Sequence, residues 1–302
     1  MESIYLSVVL STFNDEKYLG KSIESILNQT YPFFEFIIIN DGSTDHTAEI
    51  IQSFNDPRIV FVNKANTGLI DSLNIGVAKA KYEWIARMDG DDIAEPNRLE
   101  EEVKMIAENI CLISSQCNLI DKNGSPIGKT KFLSRGLGRY ISLELRFPLI
   151  AHPTVLFRKQ TFLEVGGYDS CMQIAEDIDL WLKMLSKGKL VVCSQCLLKS
   201  RKHDKNISIL QRQEQIINGV IAYIKFVHGI NRCLTIDEYN ALRYAVVNST
   251  IFRNTISKDR RGIWNVCYRE MRTWCYIRFN VEIIKVVKWI KGKNPYMLNE
   301  MK

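Results

Sequence analysis

The sequence predicts an α/β protein with a doubly wound, mostly parallel sheet and a helical C-terminal extension. Short β-branched segments alternate with amphipathic helical segments along the first part of the chain. Polar residues follow three of the predicted strands, at 12–14, 40–45 and 89–92, and the carboxyl ends of parallel strands share one edge of a sheet. Later in the chain the pattern becomes helical and stays so. We therefore expect two regions, residues 1–208 and residues 209–302.

The first region begins with four strand and helix pairs. Strands are predicted at 4–10, 36–39 and 59–62 and in the apolar run that starts at Trp84. The helices that follow them are predicted at 19–27, 47–54, 69–80 and 96–109. Such alternation favours parallel strands joined by right-handed crossovers, with helices on both faces of the sheet.

The middle of the chain predicts a mixture of strand directions. Residues 121–124, with the sequence Asp-Lys-Asn-Gly, are typical of a hairpin turn rather than of a crossover. Strands are further predicted at 111–115, 152–158, 189–193 and 196–198, and helical segments at 134–146, 159–165 and 175–185. The sheet should therefore be mixed, with its parallel part at the N-terminal side of the sequence.

Composition and charge divide the chain in the same way. The 302 residues are 46% hydrophobic and 25% charged, which is ordinary for a globular protein. The net charge of +6 hides an asymmetry, because residues 196–302 hold 20 basic against 8 acidic residues and the rest of the chain holds 20 against 26. A basic C-terminal part predicts an anionic partner such as a membrane surface. No nucleic-acid-binding motif accompanies the charge, and we expect no nucleic-acid partner.

Cysteine usage and hydropathy predict a cytoplasmic protein. The eight cysteines are scattered and several lie in apolar runs, where reduced, buried thiols fit. No signal-peptide pattern opens the sequence, and the longest apolar passage, 216–227, is too short to span a bilayer. A peripheral position on the inner face of the cell membrane is the further expectation.

The helix predicted at 281–291 carries much of this basic charge. Its apolar side is formed by Ile283, Ile284, Val287 and Ile290, and its basic side by Lys285, Lys288 and Lys291. Two interpretations are open. The helix lies in a membrane interface, or its apolar side packs on its own domain and its lysines are solvated.

An acidic stretch follows the strand that starts at Trp84. It reads Asp89-Gly90-Asp91-Asp92, so three carboxylates lie within four residues. At the carboxyl end of a buried strand they should face the ligand crevice of the sheet, where oxygen ligands suit a hard divalent ion such as Mg²⁺ or Mn²⁺. The alternative is an acidic turn that caps the next helix, and Asp92 is assigned to that cap.

Five separated motifs of this chain resemble family 2 glycosyltransferases, enzymes of the GT-A fold that move a sugar from a nucleotide donor with inversion. The motifs are Val8 to Asn14, Asn40 to Asp45, Asn66-Thr67-Gly68, Asp89 to Asp92, and Glu176-Asp177 followed by Asp179-Leu180-Trp181-Leu182. They occur in the family's order and cover about residues 4–208. The similarity is to bacterial enzymes that build exopolysaccharide or O-antigen repeat units, whose middle also resembles residues 152–158 and 166–169.

The resemblance implies a role for each site residue. The metal, Mn²⁺ or Mg²⁺, would be held by Asp89, Asp91 and His203. The nucleotide and its diphosphate would contact Thr12, Phe13, Asn14, Asp41, Asn66, Arg87, Asp89 and Arg201. Asp177 would be the catalytic base, with Glu176 as the less favoured holder of that role. Two alternatives stay open: Arg87 pairs with the neighbouring acids for structural reasons, and His203 is a solvated loop histidine.

The function implied is hexosyl or hexosaminyl transfer in bacterial surface polysaccharide biosynthesis. The donor would be a nucleotide-diphosphate sugar, a UDP-sugar first among them, and the acceptor a hydroxyl of a glycan or of a polyprenyl-diphosphate-linked sugar. A non-catalytic sugar-nucleotide binding module is the alternative. A sugar nucleotidyltransferase is less favoured, because it expects a glycine-rich, basic phosphate loop after the first strand, and residues 11–14 do not form one.

Overall fold

The computed structural model describes residues 3–130, 150–203, 211–248 and 281–292. By their contacts the residues divide into two compact units: a first unit from 1–168 and 184–206, and a second unit from 169–183 and 207–302. The regions predicted from the sequence differ from these units in residues 169–183, which group with the C-terminal helices. The segment predicted as helical at 134–146 lies outside the described residues.

The described residues of the first unit form a mixed sheet of nine strands. The strands are β1 Leu6–Thr12, β2 Phe34–Asp41, β3 Ile59–Lys64, β4 Trp84–Asp89, β5 Ile93–Ala94, β6 Ile110–Ile120, β7 Pro126–Lys129, β8 Leu156–Arg158 and β9 Lys189–Arg201. Their order is β3-β2-β1-β4-β8-β6-β9-β5, with β7 beside β6. The first four strands pair in parallel, and β8 lies antiparallel between β4 and β6.

The register of the parallel strands brings the predicted site loops together. Thr12 at the end of β1 pairs with Asn40 on β2, and Ser11 pairs with Asp89 on β4. Since parallel strands end at the same edge, the loops after β1, β2 and β4 meet there. The edge predicted from the sequence is thus formed as expected.

Helices cover both faces of this sheet. They are α1 Leu19–Leu27, α2 Thr47–Gln52, α3 Leu69–Lys79, α4 Arg98–Val103 and α5 Lys159–Glu164. The buried side of α1 joins the core beneath β1, whereas Gly76 of α3 approaches the opposite face so closely that a Cβ there would lie 2.5 Å from Cγ1 of Val9. Glycine is needed at that crossing. The predicted α/β fold with a mixed, mostly parallel sheet is confirmed.

Several predicted element bounds were wrong. The structure has one continuous strand, β9, where the sequence predicts two strands at 189–193 and 196–198. The two residues between Cys193 and Cys196 are accommodated by a register shift against β6, so the pairing continues past them. Residues 152–158 form a 3-10 turn and the short strand β8, and the helix predicted at 96–109 is reduced to α4.

The described part of the second unit is helical. After α6 Glu176–Leu185, which begins in this unit, come α7 Arg212–Val227, α8 Ile236–Asn248 and α9 Val281–Gly292. The helices bury apolar residues against one another, among them Ile221, Ile224, Leu242, Val246 and Val287. Within the described ranges, no helix is long and apolar enough to cross a membrane. The predicted helical C-terminal region is confirmed for these residues.

The two sides of α9 differ as the sequence predicts. Val287 and Ile290 are buried, together with Val286, whereas all three lysines of the basic side are exposed. The apolar side of α9 is therefore occupied by the protein's own packing as far as its side chains are described. This arrangement favours the second interpretation for that side and leaves the lysine row facing solvent.

Candidate active site

The loops after β1 and β2 are tied together by Asn14. Its backbone N–H donates to Oγ of Ser43 at 2.9 Å, and its side-chain oxygen accepts from the backbone N–H of Thr44 at 2.9 Å. Asn14 has φ 55°, a left-handed conformation that asparagine tolerates better than most residues. Thr12, which is buried, donates its hydroxyl to Asp15 at 2.8 Å. The first two motifs therefore form one rigid corner of the edge.

Asp41 at the end of β2 holds the third motif. Its carboxylate accepts from the backbone N–H groups of Thr67 and Gly68, each at 2.9 Å, and pairs with the ammonium of Lys64. Burial by itself would raise the pKa of Asp41, but the hydrogen bonds from Lys64 and Thr67 hold that pKa below its ordinary value. Asp41 is thus anionic and holds the loop at Thr67 and Gly68 in place. Its contact with a nucleotide base stays a prediction.

Two predicted nucleotide contacts are exposed at this edge. Phe13 is 47% exposed, which is unusual for a large apolar side chain directly after a buried strand. Asn66 is also exposed, and its backbone lies against Gly42, where a Cβ would come within 2.6 Å of the Asn66 nitrogen. Gly42 has φ 73°, so glycine is required there by both space and backbone.

The three carboxylates after β4 converge. Asp89, Asp91 and Asp92 each offer one oxygen, and these oxygens all lie within 4.8 Å of one another. Asp92 is buried and accepts from the backbone N–H of Arg201 at 2.7 Å. The assignment of Asp92 to a helix cap was wrong, because α4 starts at Arg98 and its N-cap position is occupied by Asn97, five residues after Asp92.

Negative charge accumulates around this cluster. Burial raises the pKa of Asp91 and the charge of Asp89 raises it further, while His203 counteracts both. Burial, with Asp91 and Asp89 adding to it, raises the pKa of Asp92 well above its ordinary value. Burial also raises the pKa of Asp15 to about 6, with the two carboxylates at 91 and 89 contributing. A cation placed among these groups would offset their repulsion.

The residues fit a hard divalent ion. Carboxylate oxygens are the donors that Mg²⁺ and Mn²⁺ prefer, and an imidazole beside them suits Mn²⁺ as well. The convergence of Asp89, Asp91 and Asp92 supplies the oxygens, and His203 brings the imidazole to Asp91. The described residues thus bring together the carboxylates of the acidic stretch and the histidine that the resemblance implied, and their binding of a metal ion stays a prediction.

His203 and Arg201 approach the carboxylates from the end of β9. Nε2 of His203 lies 2.9 Å from Oδ2 of Asp91, and its ring stacks on Tyr18 with ring centres 5.6 Å apart. Arg201 lies over the same Tyr18 ring at 4.5 Å and donates to the carbonyls of Asp91 at 2.9 Å and Asp121 at 3.1 Å. His203 is therefore a half-buried partner of the cluster and is not solvated as in the alternative interpretation.

Arg87 is buried beneath the edge. Its Nη1 lies 2.6 Å from Oδ1 of Asp89, which agrees with the interpretation that it pairs with the acids, and its contact with a phosphate stays a prediction. Burial, together with the charge of Arg87, lowers the pKa of His152 well below its ordinary value. Nε2 of His152 lies 2.8 Å from the hydroxyl of Tyr168, a part-buried contact between neutral groups.

Sequence reasoning missed two residues of this site, Asp15 and Tyr18. Asp15 follows the first motif directly and Tyr18 lies three residues further on, where the chain leaves β1 and enters α1. The sequence signal for them was a carboxylate and an aromatic ring soon after the end of a strand. The first motif ends at Asn14, one residue before Asp15.

The predicted base lies in the second unit, in the first turn of α6. Glu176 is buried and Asp177 is half-buried, with one carboxylate oxygen of Asp177 accepting from the N–H of Ile178 at 2.7 Å. Acidic residues in a first helical turn are favoured by the helix dipole. The role of Asp177 as a base stays a prediction.

A buried ionic network anchors α6 further along the helix. The ammonium of Lys225 lies 2.5 Å from Asp179 and 3.0 Å from Asp169, and Asp179 also pairs with Lys183 at 3.0 Å. All four side chains are at most 2% exposed. Burial by itself would lower the pKa of Lys225, but Asp179 and Asp169 hold it above its ordinary value. Since unpaired buried charges are strongly destabilising, the partners depend on one another.

Ile174 departs from ordinary backbone geometry just before α6. Its φ is 71°, in the left-handed region. A β-branched residue in that region is a genuine outlier and costs about 1–3 kcal/mol. Such strain persists only where surrounding contacts hold it.

Fold and site together define a GT-A glycosyltransferase: a mixed sheet whose parallel strand ends converge on a carboxylate cluster. The chain belongs to glycosyl transferase family 2, whose sequence profile matches residues 7–165. Both the GT-A fold and the resemblance are thereby confirmed.

Curated relatives agree with this family. The chain is 34% identical over 209 residues to the O-antigen biosynthesis glycosyltransferase WbnJ of Escherichia coli, covering 67% of this chain and 81% of WbnJ. It is 32% identical to an uncharacterized glycosyltransferase of Haemophilus influenzae, covering 95% of this chain and 94% of the relative. A chondroitin synthase of Pasteurella multocida is 26% identical, covering 96% of this chain and 28% of the synthase.

Solved structures share the fold at low identity. TarS of S. aureus has a TM-score of 0.61 at 20% identity, covering 85% of this chain and 46% of TarS. The mannosyltransferase PcManGT of Pyrobaculum calidifontis has a TM-score of 0.58 at 12% identity, covering 97% of this chain and 88% of the other. These structural similarities show the fold of this chain.

Proposed function

We propose that this glycosyltransferase moves a hexosyl or hexosaminyl group from a nucleotide-diphosphate sugar to an acceptor hydroxyl, with inversion. The observation that carries the proposal is the convergence of Asp89, Asp91 and Asp92 with His203 at the carboxyl edge of the sheet. The setting is bacterial surface polysaccharide biosynthesis, which is supported by the relative named for O-antigen biosynthesis. The acceptor would be a glycan or a polyprenyl-diphosphate-linked sugar.

A UDP-sugar is the first candidate donor. TarS has been solved in complex with UDP and with UDP-GlcNAc, and PcManGT in complex with GDP-Man and Mn²⁺. In this chain Thr12, Phe13 and Asn14 would line the nucleotide site, with Asp41 and Asn66 beside them. The exposed ring of Phe13 offers a face on which a base can stack.

Asp91 and His203, with Asp89, would hold Mn²⁺ or Mg²⁺ on the donor diphosphate. When bound, the ion supplies Lewis-acid stabilisation of the charge that develops on the leaving diphosphate. Arg201 adds a fixed positive charge at this edge through its contacts with Asp91 and Tyr18. Asp92 stays with the backbone of Arg201 and keeps the end of β9 in place.

The acceptor hydroxyl needs a base, because an alcohol is a poor nucleophile until its proton is removed. Asp177 takes that role in the proposal, and Glu176 is the alternative holder. A single carboxylate suffices for one displacement with inversion, since no covalent intermediate has to form.

Thermal unfolding with a donor panel tests the proposal. With Mn²⁺ and donor at a hundred times its Kd, we expect the native state to gain about 2.7 kcal/mol, measured as a rise in Tm of roughly 5 °C. The panel would include UDP-glucose, UDP-N-acetylglucosamine, UDP-galactose and GDP-mannose, each with metal and with EDTA. Uridine with Mn²⁺, which lacks the diphosphate, is the control. The proposal fails if none of the nucleotide sugars is bound or hydrolysed in the presence of metal.

The exposed lysine row of α9 predicts attraction to an anionic membrane. Replacing Lys285, Lys288 and Lys291 together by glutamine should remove about 1 kcal/mol per lysine, or roughly a hundredfold in vesicle binding. The measurement is sedimentation with phosphatidylserine-containing vesicles and with neutral phosphatidylcholine vesicles.

A matched control replaces three exposed lysines of the first unit, Lys21, Lys79 and Lys187, by glutamine. The two triple variants change the net charge equally. If both bind anionic vesicles as weakly as each other, or if neither differs from the unmodified protein, the lysine row of α9 is not the docking surface.

A further inference from the structure

The turn that leads into α6 is held in a conformation that its own sequence disfavours. Ile174 lies three residues before Asp177 and has φ 71°. Isoleucine avoids this left-handed region because its branched Cβ crowds the backbone. The turn is closed by a backbone hydrogen bond from the N–H of Ala175 to the carbonyl of Met172 at 3.1 Å. Without a further restraint, the strain at Ile174 should let this turn relax, and the start of α6 would then change its direction.

A side chain of α7 supplies this further restraint. Nδ2 of Asn218 donates to the backbone carbonyl of Gln173 at 2.6 Å, directly before the strained residue. Asn218 is 3% exposed, so its amide is buried at the donor end of this part-buried bond. Fixing the carbonyl of Gln173 fixes the peptide plane that enters Ile174.

Tyr239 of α8 fixes the orientation of the side-chain amide of Asn218. The hydroxyl of Tyr239 donates to Oδ1 of Asn218 at 2.9 Å. A phenol donating to the amide oxygen requires the amide nitrogen to point the other way, toward Gln173. Tyr239, Asn218 and Gln173 therefore form a directed chain from α8 to the entry of α6.

We propose that Asn218 and Tyr239 are positioning residues that hold the turn at Ile174 and thereby aim the carboxylate of Asp177. The inference rests on the proposed role of Asp177 as the base. It assigns a catalytic contribution to helices that lie beyond residues 7–165, the part of the chain that the family profile matches.

Different contacts hold the entry turn of α6 and the helix itself. An effect on the position of Asp177 can therefore be told apart from an effect on the stability of the protein. Lys225 holds the helix through Asp179, on the C-terminal side of Asp177, independently of Asn218. Loss of the Asn218 bond should therefore release the turn at Ile174 and the start of α6 as far as Asp177, while Asp179 and the residues after it stay in place. Donor binding, which is proposed for residues of the first unit, should not depend on that turn.

The test compares Asn218→Ala and Tyr239→Phe with the unmodified protein in transfer to an acceptor. We expect kcat to fall at least tenfold for Asn218→Ala and severalfold for Tyr239→Phe, while the donor KM and the donor-induced rise in Tm stay within error. Tyr244→Phe is the matched control, since it makes the same substitution on α8 at a side chain that is 62% exposed. A parallel loss of donor binding, or an unchanged kcat for Asn218→Ala, overturns the inference.

Rescue supplies a second readout that general destabilisation would not give. Glycine adopts φ 71° without the steric cost that isoleucine carries. In the Asn218→Ala background, Ile174→Gly should therefore recover a measurable part of kcat, because the turn no longer needs to be forced. If the double variant is no faster than Asn218→Ala, the strain at Ile174 is not what Asn218 controls.

Failure of the inference can be told apart from failure of the proposed base. If Asp177→Asn abolishes transfer and Asn218→Ala does not slow it, Asp177 keeps its role and the positioning idea falls. If Asp177→Asn transfers at the normal rate, both fall together.

Discussion

Replacing Asp91 by asparagine should lower transfer about a thousandfold, since a metal that stabilises the leaving diphosphate is worth several kcal/mol in the transition state. Asparagine keeps the size of the side chain and can still accept from His203, so the change removes mainly the charge. The measurement is initial-rate transfer across a Mn²⁺ titration, in which the variant should need much more metal for half-maximal activity.

The folded protein itself should tolerate this substitution. Because Asp89 and Asp92 lie close to Asp91, neutralising one of the three relieves repulsion, and in EDTA the variant should melt no lower than the unmodified protein. Glu164→Gln, which neutralises an exposed carboxylate of the first unit, is the control and should retain its metal response. Full activity of Asp91→Asn at ordinary metal concentrations would remove Asp91 from the metal site.

Replacing Asp177 by asparagine should lower kcat by about 10²- to 10⁴-fold, the usual contribution of a positioned general base. Donor binding should persist, because the nucleotide contacts are proposed at the sheet edge of the first unit. The measurement pairs transfer kinetics with the donor-induced shift in Tm.

Glu176→Gln is the comparison that assigns the base. A large loss for Asp177→Asn with a small one for Glu176→Gln supports Asp177, and the reverse result moves the role to Glu176. Donor binding without transfer in the unmodified protein, across a broad acceptor panel, would favour the non-catalytic binding module.

The edge of the sheet was predictable because strand direction follows from local pattern. Alternating strands and helices implied parallel pairing, and parallel pairing brings the ends of β1, β2 and β4 together whatever their side chains are. The stretch from Asp89 to Asp92 could therefore be placed at a ligand crevice before any contact was known. His203 was reached only through the family resemblance, since no local pattern ties a loop histidine to a strand more than a hundred residues earlier.

What could not be predicted depends on contacts between distant segments. The burial of Asp92 against the backbone of Arg201 is invisible in a sequence where Asp92 looks like a helix cap. The same holds for Asp15, whose pKa is raised chiefly by burial and further by carboxylates far along the chain. Residues 175–185 gave a clear helix pattern, but the pattern did not reveal that the helix is anchored by Lys225.

The buried pairing of Lys225 bears on how the protein can be shortened. A fragment ending at residue 208 would lack this lysine, so Asp169 would lose its ammonium partner and Asp179 would keep only Lys183. A carboxylate left in an apolar interior either takes up a proton or draws in water, and each of these loosens the surrounding packing. A shortened protein intended for expression should therefore retain α7, even if only the sugar-nucleotide site is to be studied.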